Sequence, residues 1–210
     1  NDTLLHYNGI EWTTVTIPAV YLSAGQQELR LAIDVGGWNI NYIQLSSTAQ
    51  TPFSGSAIDI SSTSTSTVEA EDFDLGGEGI AYHDTTVDNV DGSTYRNAAD
   101  PGCRVDIKYN CVAGNCNFVS YPDANEYMEY IVHVEAAGTY NIHIYASCAN
   151  PNKQLQIEMP GLNQVVTLID TDGWTNFQAN TLSSMTLQAG RQILRITDMT
   201  TGFNFDRITF

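Results

Sequence analysis

The chain has 210 residues, with 8 basic against 24 acidic side chains and a net charge of −16. So acidic a surface repels phosphate backbones and anionic lipid headgroups, so neither nucleic acid nor a membrane is expected as a partner. No run approaches the roughly 18 to 20 apolar residues that cross a bilayer, which excludes a spanning helix.

Thr, Ser, Asn and Tyr are abundant and Lys is scarce, a composition that favours strands and turns. The first residues lack a basic stretch followed by an apolar one, so a mature or trimmed chain is expected. Leu22 to Leu45 superposes without a gap on Leu187 to Phe210, at an offset of 165. Leu22, Ala24, Gly25, Gln27, Leu29 and Arg30 recur as Leu187, Ala189, Gly190, Gln192, Leu194 and Arg195. Each copy then runs through Gly-aromatic-Asn, at Gly37-Trp38-Asn39 and Gly202-Phe203-Asn204, into an alternating stretch. The register reaches back to Trp12 opposite Phe177. Residues 1–45 are therefore expected to be the C-terminal fragment of a preceding module. Residues 46–67, rich in Ser and Thr, read as a linker, and 68–210 as a complete module. Half a module cannot close a sandwich alone, so the fragment must dock, pair its edges with another chain, or be poorly ordered.

In the complete module, Glu69 and Glu71 sit two apart on a first strand, so both carboxylates face one side. Such a pair suits a hard cation such as calcium, and Asp206 adds a third carboxylate if the first and last strands are neighbours. The competing readings are a glycosidase acid/base pair, which needs carboxylates on separate elements across a cleft, and two solvated glutamates. Cys103, Cys111, Cys116 and Cys148 show neither CxxC nor zinc spacing. Two disulfides in an oxidising compartment are expected, Cys111 with Cys116 and Cys103 with Cys148 among three possible pairings, against four free thiols. Tyr127–Val134 and Thr139–Ala146 alternate around Ala136-Ala137-Gly138 and read as a hairpin, with His133 and His143 as cross-strand neighbours. Short alternating runs at 154–158, 164–168, 184–187 and 193–196 complete an all-β pattern with no helical stripe. The fold class expected is a β-sandwich of the jelly-roll kind, with an extra β fragment ahead of it. The four histidines do not cluster, and no GxSxG, P-loop, HExxH or Cys/His signature appears, so nothing argues for an enzyme.

Val68–Asp74, Gly76–Asp84, Asn125–Tyr130, Asp172–Trp174 and Gly202–Asp206 stand in an order that resembles a family 6 carbohydrate-binding module. The likeness covers essentially 68–210, and 12–45 resembles the tail of a second module. It implies a calcium-containing, galactose-binding-like β-sandwich that binds sugars without cleaving them, attached to a secreted bacterial polysaccharide-degrading enzyme. Glu69, Glu71 and Asp206 would hold a structural calcium. Trp174, on the loop after Asp170-Thr171-Asp172-Gly173, would stack on a sugar ring, with core packing as its competing reading. The resemblance places the opposite wall at Tyr121, a hydrogen-bonding amide at Asn204, and a hydroxyl contact at His83. The upstream fragment has Gly9 where the module has Trp174, so it carries no sugar site.

The expected function is binding of a β-linked polysaccharide, of agarose or β-1,3-glucan type and near chain ends, to target a glycoside hydrolase domain in cis. The alternative is an extracellular structural or adhesion subunit, self-associating through residues 1–45.

Overall fold

The computed structural model describes residues 26, 28–43, 45, 49–86, 93–96, 98–100, 102–112 and 115–210, with backbone alone at 110–112 and 115–116. The chain divides into two compact units, 1–47 and 48–210. Among the described residues of the first unit none lies in a strand. Leu29, Leu31, Ile33 and Val35 alternate as a strand would, yet are between 51% and 76% exposed. An alternating face needs partner strands and an opposing layer, and few residues are there to supply them.

The described residues of the second unit form twelve strands: β1 Ile58–Ile60, β2 Thr67–Glu69, β3 Tyr82–His83, β4 Ile107–Val112, β5 Asn115–Val119 and β6 Tyr127–Val134. These are followed by β7 Gly138–Ser147, β8 Gln154–Met159, β9 Leu162–Thr167, β10 Gln178–Leu187, β11 Gly190–Asp198 and β12 Asn204–Thr209. One sheet runs β1-β6-β11-β8-β9, with β3 also on β6, and the other runs β10-β7-β12-β5-β4, with β2 on β12. The two make a sandwich, as the alternation predicts. Met128, Tyr130 and Val132 of one sheet and Ile142, Ile144 and Phe205 of the other are at most 2% exposed and belong to the same core. Burying each such side chain contributes about 1.5–3 kcal/mol.

Four expectations need correction. β6 and β7 are not a hairpin: β6 pairs β11 in one sheet and β7 pairs β10 and β12 in the other. The Ala136-Ala137 corner crosses between layers, and Tyr140 Oη donates to Ala136 O at 2.7 Å to close it. Accordingly, His133 and His143 are not neighbours; Nδ1 of the first contacts Asp59 Oδ1 at 3.0 Å and Nδ1 of the second contacts Thr181 Oγ1 at 2.9 Å.

The stretch read as linker is partly folded. β1 pairs parallel with β6, Ile60 is fully buried, and Thr51 bridges to Leu75. A Ser/Thr-rich composition hides two isoleucines flanking Asp59, enough to complete a sheet edge. The Ser61–Ser66 connection is tied by side chains, with Ser61 N donating to Ser66 Oγ at 2.8 Å and Ser62 N to Glu135 Oε2 at 3.2 Å.

Cys103 and Cys148 are both free thiols, so the bridge expected between them is not formed. Cys148 directly follows β7, and its Sγ donates to Ile169 O at 3.2 Å. Cys103 lies on another loop, its N–H donating to Asp100 O at 3.1 Å, and burial pushes its thiol up to about 11. The side chains of Cys111 and Cys116 lie outside the described residues. Alkylation of the unfolded, unreduced protein should label both Cys103 and Cys148 in a peptide map; an unlabelled linked pair would show the bridge exists.

Candidate functional site

The turn into β12 needs a backbone that only glycine adopts without strain, and Gly202 supplies it at φ +81. Phe203 is fully buried and anchors the turn, so Asn204 emerges at the head of the strand, 7% exposed. Residue 204 pairs with Ser147 at the end of β7, and residue 205 with Val119 at the end of β5. Three strand ends therefore meet at one edge, and the loops leaving them determine what Asn204 faces.

Beyond β5, Ser120 N donates to Asp106 O at 2.8 Å, and Tyr121 follows in the left-handed region at φ 51, its side chain 57% exposed. A tyrosine held in that conformation costs on the order of 1 kcal/mol or more and persists because its surroundings impose it. Beyond β7, the Trp174 loop is laced to Cys148. Thr171 Oγ1 donates to Cys148 O at 3.0 Å and receives Cys148 N at 3.0 Å, while Thr171 N also donates to Cys148 O. Ser147 Oγ at 2.8 Å and Asn204 Nδ2 at 2.5 Å both donate to the Trp174 carbonyl. The backbone of Trp174 is thus pinned while its ring stays 47% exposed. The bases of the two loops are joined by Phe118 and Phe177, edge to face with centroids 5.1 Å apart. Each stands three residues from one exposed aromatic.

The structure therefore brings Tyr121, Asn204 and Trp174 to one edge. It rejects core packing for Trp174. Asn204 retains its second N–H and its amide oxygen for a ligand. His83 lies elsewhere on this edge: it shares a small cleft with Ser120 and Pro122, which flank Tyr121. Its Nδ1 contacts Glu78 Oε1 at 2.5 Å and its ring lies 5.9 Å from that of Tyr127.

Two lysines that sequence reasoning passed over also reach this edge. Lys108 Nζ lies 5.7 Å from the Tyr121 ring. A Cβ placed on Gly202 would meet Lys153 Nζ at 3.3 Å and the Trp174 ring at 4.0 Å, so the bare glycine leaves room for both. Neither lysine sits in a motif. A separate concavity of about 620 Å³ opens on the outer face of β6, β11, β8 and β9. There Arg195 lies in register between Glu129 and Glu158, bonded to Glu129 and 4.0 Å over the Tyr127 ring. Strand pairing alone assembles that row.

At the opposite end of β12, β2 does lie against it, with Glu69 opposite Arg207. Asp206 is the extra residue where the β12–β7 register shifts, and Arg207 Nη1 bonds its carboxylate. Glu71, in a 3₁₀ turn over Ala70–Asp72, is 3% exposed, and its Oε2 has no hydrogen-bond partner. Burial, reinforced by the carboxylates of Asp72, Glu69 and Asp206, pushes Glu71 up to about 8. Among the described residues no three acid, His or Cys side chains converge as a finished metal shell. The orphaned oxygen among like charges nevertheless fits a site that wants a cation.

The sequence profile of carbohydrate binding module family 6 matches residues 97–210. The chain belongs to that family. Its fold is shared with solved structures at a TM-score of 0.50. The C-terminal family 6 module of a marine laminarinase from Zobellia galactanivorans is 16% identical over 70% of this chain and 98% of that one. A family 6 module of Cellvibrio mixtus lichenase 5A, solved with cellotriose, is 19% identical over 69% and 94%. A β-1,3-glucan-binding module from Bacillus halodurans is 12% identical over 73% and 97%. No curated protein matches the chain. Family membership makes this a non-catalytic carbohydrate-binding module.

Proposed function

We propose that the module binds a β-linked polysaccharide of agarose or β-1,3-glucan type near its chain ends, through Trp174, Tyr121 and Asn204, with His83 at the rim. The observation that carries this is two exposed aromatic rings on loops tied to one another, either side of a nearly buried amide. Apolar ring faces stack on the C–H face of a pyranose, and the amide reads a hydroxyl. The ligands named for the Cellvibrio and Bacillus modules, cellotriose and β-1,3-glucan, support a β-linked glucan or a relative of it. In an exported enzyme the module acts by proximity, raising the substrate concentration near a catalytic domain in cis. Affinity gel electrophoresis against agarose, laminarin, xylan and barley β-glucan tests this. Retardation by one gel, lost in Trp174→Ala, is expected; equal migration of wild type and variant in every gel would overturn it.

We also propose that Glu69, Glu71 and Asp206 hold a structural calcium. Bound there, the ion would neutralise the facing carboxylates and clamp the first strand of the module's second sheet to its last. Chelation should lower the unfolding midpoint by about 5–11 °C, from roughly 2.7 kcal/mol of stabilisation at a hundredfold excess over Kd and about 2–4 °C per kcal/mol at this size. In Glu71→Gln the shift should fall by at least half, and an unchanged shift would sink the assignment.

A second reading is favoured by the exposed alternation of Leu29, Leu31, Ile33 and Val35. Such an exposed apolar face suits self-association. Concentration-dependent elution on size exclusion, abolished by deleting 1–47, would support it.

A further inference from the structure

Behind the Tyr121 loop lies the small cleft that His83 lines, about 10 Å³ in volume, room for one water-sized particle. Four carboxylates from distant parts of the chain line it: Asp84 after β3, Asp106 before β4, Glu126 before β6 and Asp198 at the end of β11. All four are at most 5% exposed.

Two of them are partly satisfied. Glu126 Oε1 accepts from Thr85 N and Oγ1, each at 2.7 Å, and its Oε2 accepts from Asp123 N at 2.8 Å. Asp84 Oδ1 accepts from Thr86 N at 2.8 Å and Oγ1 at 2.7 Å. Asp198 differs. Its backbone is fully engaged, with N donating to Glu126 O at 2.8 Å and O receiving Asn125 N at 2.7 Å. Its side chain, 1% exposed, has an Oδ1 with no partner at all.

Among the described residues, the charges that act on Asp84 and Asp198 are of one sign. Beyond burial and the Thr86 hydrogen bonds, the groups acting on Asp84 are Glu126 and Glu78, and those acting on Asp198 are Glu126 and Asp84, all carboxylates. His83, the nearest basic side chain on the wall, contacts Glu78. Like charges buried together in a low-dielectric interior are strongly unfavourable unless something neutralises them.

We propose that this cleft is a second cation site, for calcium, held by Asp198, Asp84 and Glu126 and separate from the one at Glu71. The donors are oxygens alone, which selects a hard cation over zinc or copper. Magnesium keeps several of its waters, and a cleft this small has no room for them; calcium accepts a shell made mostly of protein oxygens. The walls must close slightly on the ion, since the carboxylates now ring the cleft instead of meeting at a point. Asp198 Oδ1 supplies the uncommitted oxygen that draws it in. Because Asp123 N and Asn125 N are bonded to Glu126 and Asp198, the ion would also stiffen the chain that follows Tyr121.

Isothermal titration of chelator-treated protein with calcium chloride tests this, without reference to sugar. Wild type should take up two ions per chain, Glu71→Gln one, and Glu71→Gln with Asp198→Asn none, with folding checked by circular dichroism. A folded Glu71→Gln variant that binds no calcium overturns the proposal, as does a double variant that still binds one. If the variants do not fold, the wild-type count decides: two ions support the second site and one or none rejects it.

Discussion

Arg96→Ala lowers the unfolding free energy by about 3–5 kcal/mol, the cost typical of removing one partner from a buried charge network. Arg96 is 1% exposed. Its Nη1 donates to Glu71 O at 3.0 Å and Phe73 O at 2.6 Å, its Nη2 donates to Asp74 O at 3.0 Å, and Asp100 lies 3.6 Å away. The guanidinium is also stacked 3.6 Å over the Phe73 ring and 4.6 Å from that of Phe53. Alanine would leave three carbonyls without their donors, strand Asp100, and open a gap between two rings. Lysine should not rescue, because a compact ammonium has neither the planar fork nor the flat face this position uses. At this size the loss lowers the midpoint by roughly 6–20 °C. Urea unfolding followed by circular dichroism gives the number, and a loss under about 1 kcal/mol would mean that the clasp is not formed. Because Arg96 holds the carbonyl of Glu71, the same variant should also weaken the stabilisation proposed for calcium.

Trp174→Ala weakens polysaccharide binding by at least about thirtyfold, the 2 kcal/mol expected for an aromatic at the centre of a recognition site, while leaving the unfolding midpoint nearly unchanged. The two effects separate because the Trp174 backbone, not its ring, is what Ser147 and Asn204 hold. Asn204→Ala is the less clean experiment, since it removes the ligand contact proposed for this amide and a support of Trp174 together. Tyr121→Gly offers a useful contrast: it deletes a ring proposed to stack on the sugar and relieves the left-handed strain at φ 51, so it should lose affinity without losing stability. Titration calorimetry with an oligosaccharide from the polysaccharide that retards the protein measures each. Full affinity in Trp174→Ala would move recognition to another surface, and the concavity beside Arg195 would be the first place to look.

Much of this architecture can be read from the chain because strand alternation is a local property. The period of two marks Tyr127–Val134 and Thr139–Ala146 as strands, and burial alternates along most of the second, whereas in the first Glu129 and Ile131 are buried as well as the core-facing residues. The same alternation says nothing about which strand lies alongside, and that is why these two end in different sheets. The expectation of Glu69 and Glu71 on one strand fails in part, because β2 ends at Glu69 and Glu71 lies in the 3₁₀ turn that follows, while β12, which carries Asp206, does run alongside β2. Gly202-Phe203-Asn204 and Trp174 were legible for a similar reason, each being a short motif at a turn.

What composition obscured, tertiary structure decided. Ile58 and Ile60 read as linker until β6 provides an edge for them to extend. Cys103 and Cys148 have an even-count logic that favours a bridge, but in the folded chain both are free thiols, Cys148 bonded to the Ile169 carbonyl instead. Arg96, Lys153 and Asp198 belong to no motif, and most of what each of them meets lies about 20 to more than 100 positions away. The sequence by itself determines which residues face inward, because burial acts on each strand through its own period. Only the folded chain determines which charges share an interior, because that depends on contacts between segments whose order along the chain carries no trace of their distance in space.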